Sequence, residues 1–260
     1  MSRRQFLSVV AGSALAAACA PLPATPASAT AGGATSAARP IRAVAFDLFT
    51  IFDPRGVDQR VAELVPEAPT FATTWKSRLF EYSWIRAASA RYVDFDQLVH
   101  DALVYAARTH RVSIATATRS KLEAAFTELT PWPDSRTALE RLGARGLRLA
   151  PLANFAPRMI ERLLANADLR APFEALISTD RARTYKPDPR AYALGETTFG
   201  LSRSEIAFAA FGGWDAAGAR WFGYPTFWVN RLAVPVEELA VADATGPDLA
   251  ALTDWIASRS

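Results

Sequence analysis

The chain has 260 residues, half of them hydrophobic and 11% aromatic, with a formal charge of +3. That is enough apolar material for one large domain or two smaller ones, and too much for a disordered chain. A single cysteine, Cys19, excludes an intrachain disulfide and a cysteine metal site. No block of like charge points to nucleic acid, and two histidines (His100 and His110) leave little for histidine chemistry.

Residues 1–29 read as a signal peptide: Arg3 and Arg4, an apolar stretch from Phe6 to Ala18, then small residues and prolines ending in Ala27–Ala29. The stretch is shorter than the ~20 residues a spanning helix needs, so no stable membrane span is expected. "SRRQFL" is similar to the twin-arginine export signature, which predicts a periplasmic protein. "AAAC" at Ala16–Cys19 leaves a lipoprotein anchored at Cys19 as the alternative. Loss of Arg3 and Arg4 with the segment takes the charge from +3 to +1, which gives no support to polyanion steering. Residues 30–40 read as a flexible linker.

"IRAVAFD" follows, a buried-strand pattern ending on Asp47. From Val57 to Leu129 the pattern is helical. Trp75, Leu79 and Tyr82 form one apolar stripe, with Lys76, Phe80 and Trp84 beside it, so that helix is expected to face two surfaces. From Pro131 helices and strands alternate. Strands are predicted in "LRLAPLAN", "FEALIST", "EIAFAAFG" and "PTFWVN". Helices are predicted in "PDSRTALERLGARG", "PRMIERLLANADL", "DPRAYALGETTFG", "WDAAGARWFG" and "PDLAALTDWIAS". This is the pattern of βαβ units. The predicted fold is α/β: a doubly wound, Rossmann-like parallel-sheet core from residues 41–54 and 131–260, with an inserted all-helical cap over residues 55–130.

Such sheets place ligands at the carboxyl ends of their strands. Asp47, Asn154, Lys186 and Asp215 all fall there, and the inserted segment leaves just after Asp47, where it can act as a lid. Each residue has two readings. Asp47 is a turn carboxylate or a nucleophile on a rigid edge. Lys186, fixed by the proline after it, is a solvated loop lysine or the cation that keeps Asp47 ionised. Asp215 occupies a helix's first turn or orients Lys186. Asn154 is an ordinary turn residue or an anion donor.

Together these pieces resemble the haloacid dehalogenase superfamily, and within it the L-2-haloacid dehalogenase (type II) branch. "EYSWIRAASARYVDF", "YKPDPRAY" and "WDAAGARWFGYPTFWVNR" carry the likeness, which covers residues 41 to about 231. The resemblance implies metal-free, cofactor-free displacement of halide from a small 2-substituted carboxylic acid. Asp47 attacks and Lys186 and Asp215 complete the catalytic set. Asn154 and Lys76 contact the halide, and Phe49, Phe80, Phe155, Trp214 and Thr50 line the substrate site. It also implies a homodimer through the cap helices.

Most of the superfamily are magnesium-dependent phosphatases with an acid two residues after the nucleophile. Phe49 stands there, and Ala210 and Phe211 replace an expected magnesium ligand, so that reading falls behind. Within the nearer branch, Ala153, Ala210 and Gly212 stand where polar residues are usual. Lys76 replaces an arginine, and the "DLFTIFD" stretch is one residue short. A degenerate member that binds a small carboxylate without turnover is therefore the main alternative.

Overall fold

The structure, a computed structural model, describes residues 40–259. The signal segment expected at residues 1–29, with Cys19, lies outside them, as does all of the linker but its last residue.

Six parallel strands form one sheet in the order β3-β2-β1-β4-β5-β6. They are β1 (Ala43–Phe46), β2 (Arg148–Ala153), β3 (Ile177–Ser178), β4 (Ile206–Ala210), β5 (Thr226–Val229) and β6 (Ala244–Gly246). β1 lies at the centre, pairing Ala43–Phe46 with Arg148–Pro151 on one side and with Ile206–Ala209 on the other. It has no polar residue because both its faces are covered. The period of two sends Val44 and Phe46 into one hydrophobic cluster, and Ala43 and Ala45 into a second on the opposite face.

The first face is packed by α5 (Ser135–Ala144), α6 (Pro157–Asn166) and α9 (Leu249–Ala257), through residues such as Leu139, Leu163 and Leu252. The second is packed by α7 (Pro189–Phe199) and α8 (Gly213–Phe222), through Tyr192, Ala216 and Phe222. The chain runs outward through β2 and β3, then returns to place β4 against β1. The crevice where such sheets bind ligands therefore opens at the carboxyl ends of β1 and β4.

Between β1 and α5 comes the helical cap: α1 (Arg55–Leu64), α2 (Phe71–Ala88), α3 (Phe95–His110) and α4 (Thr116–Ala124). Asp94 begins α3 by accepting the Gln97 N–H at 2.9 Å, and Arg111, in the left-handed conformation, ends it. The buried Trp75 on α2 donates to the Val99 carbonyl at 3.0 Å, tying α2 to α3.

Two strand expectations need correction. "FEALIST" yields only two strand residues. Phe173 turns its ring edge-on to Phe46 at 6.2 Å rather than extending β3. β6 was not expected, because Ala, Thr and Gly at a half-exposed edge carry no strand signal. No helix among the described residues is long and apolar enough to cross a membrane.

Candidate active site

Asp47 is the first residue past β1. Its backbone N–H still bonds the Ala209 carbonyl of β4 at 2.9 Å, so its position is set by the sheet. Its carboxylate serves the turn with one oxygen and meets a cation with the other. Oδ2 accepts the Phe49 N–H at 3.2 Å and caps a short 3-10 turn over Leu48–Thr50. Oδ1 accepts from the Lys186 ammonium at 2.8 Å.

Lys186 is 1% exposed and sits between two carboxylates, with Asp215 Oδ2 at 2.7 Å. Its backbone N–H donates to Asn154 Oδ1 at 2.9 Å, and the Thr179 hydroxyl donates to the same oxygen at 3.4 Å. A backbone N–H needs an acceptor, so the amide oxygen of Asn154 faces Lys186 and its NH2 is the part left to donate elsewhere. Asp215, also 1% exposed, takes a further bond from the Tyr192 hydroxyl at 2.7 Å.

Burial opposes charge on Lys186, but Asp215 and Asp47 outweigh it and hold its pKa above the usual lysine value. Burial pushes Asp215 up to about 6, against the pull of Lys186. Burial also holds the Tyr192 hydroxyl well above an ordinary tyrosine, so it remains a donor.

Above Asp47 lies a cavity of about 320 Å³. The core supplies Asp47, Phe49, Ala153, Asn154, Phe155, Lys186, Phe211, Gly212 and Trp214; the cap supplies Lys76, Leu79, Phe80, Phe95 and Phe126. Phe49 stands edge-on to Phe155 and to Phe211, each at 5.9 Å. The position two residues after Asp47 is thus an aromatic wall with no proton to give. Trp214 meets Phe80 and Trp84 of α2 edge-on at 5.8 and 5.7 Å. The second stripe of α2 therefore faces the core, and its first stripe is buried at Trp75 and Leu79.

Gly212 belongs with Trp214: a methyl group on it would fall 2.7 Å from the indole nitrogen. Among the described residues no group of three or more His, Cys, Asp or Glu side chains is placed to hold a metal ion.

One expected site residue sits elsewhere. Thr50 does not line the cavity. It is fully buried, and its hydroxyl donates to the Asp47 carbonyl at 2.7 Å, closing the turn. Asp215, expected to orient Lys186, bonds its ammonium at 2.7 Å from behind the cavity wall. Ala210, one of the substituted positions, also lies outside the cavity, in the cluster on the α7–α8 face.

The loop that is one residue short is firmly held. The Phe49 carbonyl accepts from Trp132 Nε1 at 3.0 Å, and the Thr50 carbonyl accepts two bonds from Arg231 at 3.0 and 2.7 Å. The Ile51 carbonyl accepts from the Ser135 hydroxyl at 2.7 Å and the Trp132 N–H at 2.8 Å.

The sequence reading missed Tyr192, six residues after Lys186 and one helical turn into α7. It also missed Asp58 on α1. Asp58 lines the cavity and places its two oxygens 2.6 and 2.7 Å from the Lys76 ammonium. No spacing rule links residues on two different helices, so only the fold brings this pair together.

The profile of the haloacid dehalogenase-like hydrolases matches residues 41–223. An (S)-2-haloacid dehalogenase of Pseudomonas sp. (strain YL) is 40% identical over 201 residues, covering 76% of this chain and 87% of that protein. Haloacetate dehalogenase H-2 of Moraxella sp. (strain B) is 35% identical over 84% of this chain and 98% of its own length. The L-2-haloacid dehalogenase of Xanthobacter autotrophicus, solved with chloropropionic acid covalently bound, superimposes with a TM-score of 0.79. It is 30% identical, over 85% of this chain and 100% of its own.

Proposed function

The chain belongs to the haloacid dehalogenase-like hydrolases, and from that premise we propose that it hydrolyses the carbon–halogen bond of a 2-haloalkanoic acid, with Asp47 as nucleophile. The observation that carries this is a carboxylate at the floor of an aromatic cavity, 2.8 Å from a buried ammonium.

A carboxylate is a poor nucleophile in water. It works when positioned and stripped of bulk water, as the Phe49, Phe80, Phe155 and Trp214 walls arrange here. An Asp47 oxygen attacks C2 on the face opposite the halogen. The C–O bond forms, the halide leaves with the bonding pair, and the centre inverts. Water then adds to Cγ of Asp47, the ester C–O bond to Cγ breaks, and the 2-hydroxy acid departs. The balance is one water consumed, with one halide and one proton released.

Lys186 stays cationic through both steps, because Asp215, itself fixed by the Tyr192 hydroxyl, holds it from behind. It offsets the charge of Asp47 and of the substrate carboxylate. The NH2 of Asn154 and Lys76 supply donors toward the halide.

Incubation with (S)-2-chloropropionate is expected to release chloride, and Asp47→Asn to abolish it. Equal release by both proteins would overturn the proposal. The second reading, binding without turnover, is favoured by the methyl of Ala153 in the cavity where a hydroxyl is usual. A mass increase on the Asp47 peptide after a single turnover would remove it.

Two further expectations belong to this reading. Export to the periplasm is supported by "SRRQFL" and the apolar stretch behind it. Arg3→Lys with Arg4→Lys should leave the protein in the cytoplasmic fraction. A homodimer through the cap is supported by the exposed Trp84 and Ile85 on α2 and Tyr105 on α3. Analytical ultracentrifugation of the wild type against Ile85→Glu tests it.

A further inference from the structure

Among the described residues, every cation lining the cavity already has a carboxylate partner. Lys186 has Asp47 and Asp215, and Arg55 has Asp53, with nitrogen–oxygen distances of 2.6 to 3.0 Å. Lys76, the cation on the lid, has both oxygens of Asp58 at 2.6 and 2.7 Å. Asp47 attacks from the sheet edge, so the leaving group departs toward the lid that carries Lys76. An incoming carboxylate or a departing halide therefore meets an ammonium whose charge Asp58 already offsets and whose three N–H donors Asp58 already engages in part. The two side chains are 34% and 38% exposed, so the pair is open to solvent and weak enough to exchange partners.

We propose that Asp58 is a specificity-determining residue: a built-in competing anion that lowers the site's affinity for carboxylate and halide and selects substrates whose leaving group needs little help from a cation. The inference rests on the reaction proposed above. Chloride concentrates its charge more than bromide and gains more from an ammonium at the moment of departure. The occupied Lys76 therefore handicaps 2-chloro acids more than 2-bromo acids.

The test is Asp58→Asn, which keeps the shape and removes the charge. KM for (S)-2-chloropropionate should fall about two- to fivefold, the range expected for a partly exposed pair. The ratio of bromide to chloride release should narrow. In a Lys76→Met background the same substitution should change neither quantity, because Asp58 acts through Lys76. A KM that stays or rises in Asp58→Asn would mean that Asp58 only positions Lys76, and would overturn the inference. So would an equal gain for both halogens, or a gain that survives Lys76→Met.

Binding is read separately from turnover, as the rise in Tm produced by bromide and by 2-hydroxypropionate. A larger rise in Asp58→Asn than in wild type supports the inference even if neither protein releases halide, in which case only the reaction falls. An equal or smaller rise overturns it.

Discussion

Asp47, Lys186 and Asp215 form a line of charges in which each residue is meaningful only beside the next. Replacing Lys186 by Met would leave two carboxylates facing each other, one fully buried. Breaking a buried pair in this way costs about 3–5 kcal/mol, which urea denaturation should show alongside complete loss of halide release. Asp215 carries the pH dependence. Its pKa is raised from 3.8 to about 6 by burial, so it is charged above that value and neutral below it. As pH falls through about 6, Lys186 loses the counter-charge that holds it from behind, and a kcat–pH profile should show an acid limb there. Its effect on folding has the opposite sense. A raised carboxyl pKa contributes stability that is full below 3.8 and lost as pH rises through about 6. A midpoint of unfolding followed against pH would separate the two. At this scale the sequence was informative in residue type and in the pairing of Lys186 with Asp47 and Asp215, and silent on Tyr192 and Asp58. Asp47 and Lys186 stood out as a carboxylate and a fixed lysine at strand ends. That Asp58 claims Lys76 follows only from distances.

The elements position these residues through close contacts that tolerate little change. α8 approaches α7 at Gly218, where a methyl group would fall 2.5 Å from the Tyr192 hydroxyl and 2.8 Å from Pro187. Gly218→Ala should displace the hydroxyl from Asp215 and cost about 1–3 kcal/mol, as overpacked sites do, with a fall in kcat larger than any change in KM. The turn after β1 depends on Arg231, whose guanidinium serves the Thr50 carbonyl and the Asp134 carboxylate. Arg231→Met should lower stability by about 1–3 kcal/mol by leaving the Thr50 carbonyl short of partners. Thermal unfolding and chloride release measure the two consequences. The apolar stripes of α2 and the alternation of β1 were readable because burial imposes fixed periods. β3 and β6 were not. Pro151 withholds a donor within β2, and β3 pairs only beyond it, at Leu152 and Ala153. β6 pairs through backbone alone, with side chains too small to leave a pattern.

Across the whole molecule, cap and core are continuous. Phe95 of the cap stacks on Phe155 of the core at 4.8 Å, and Phe126 meets the same ring at 6.1 Å. One hydrophobic cluster runs from Leu252 through Phe46 to Trp75. Unfolding by urea should therefore be a single transition, with tryptophan fluorescence and far-UV circular dichroism coinciding. Two separated transitions would show that the lid melts independently. The sequence by itself determined the α/β core, the helical insertion after β1, and which strand ends converge on one cavity. These depend on local periodicity and on residue types that burial constrains. Tertiary structure alone decided that Thr50 closes a turn instead of lining the cavity and that Tyr192 backs Asp215. It also decided that the lid cation meets a carboxylate from another helix. Contacts between residues far apart in the chain are set by how the layers pack, and packing leaves no period in the sequence to read.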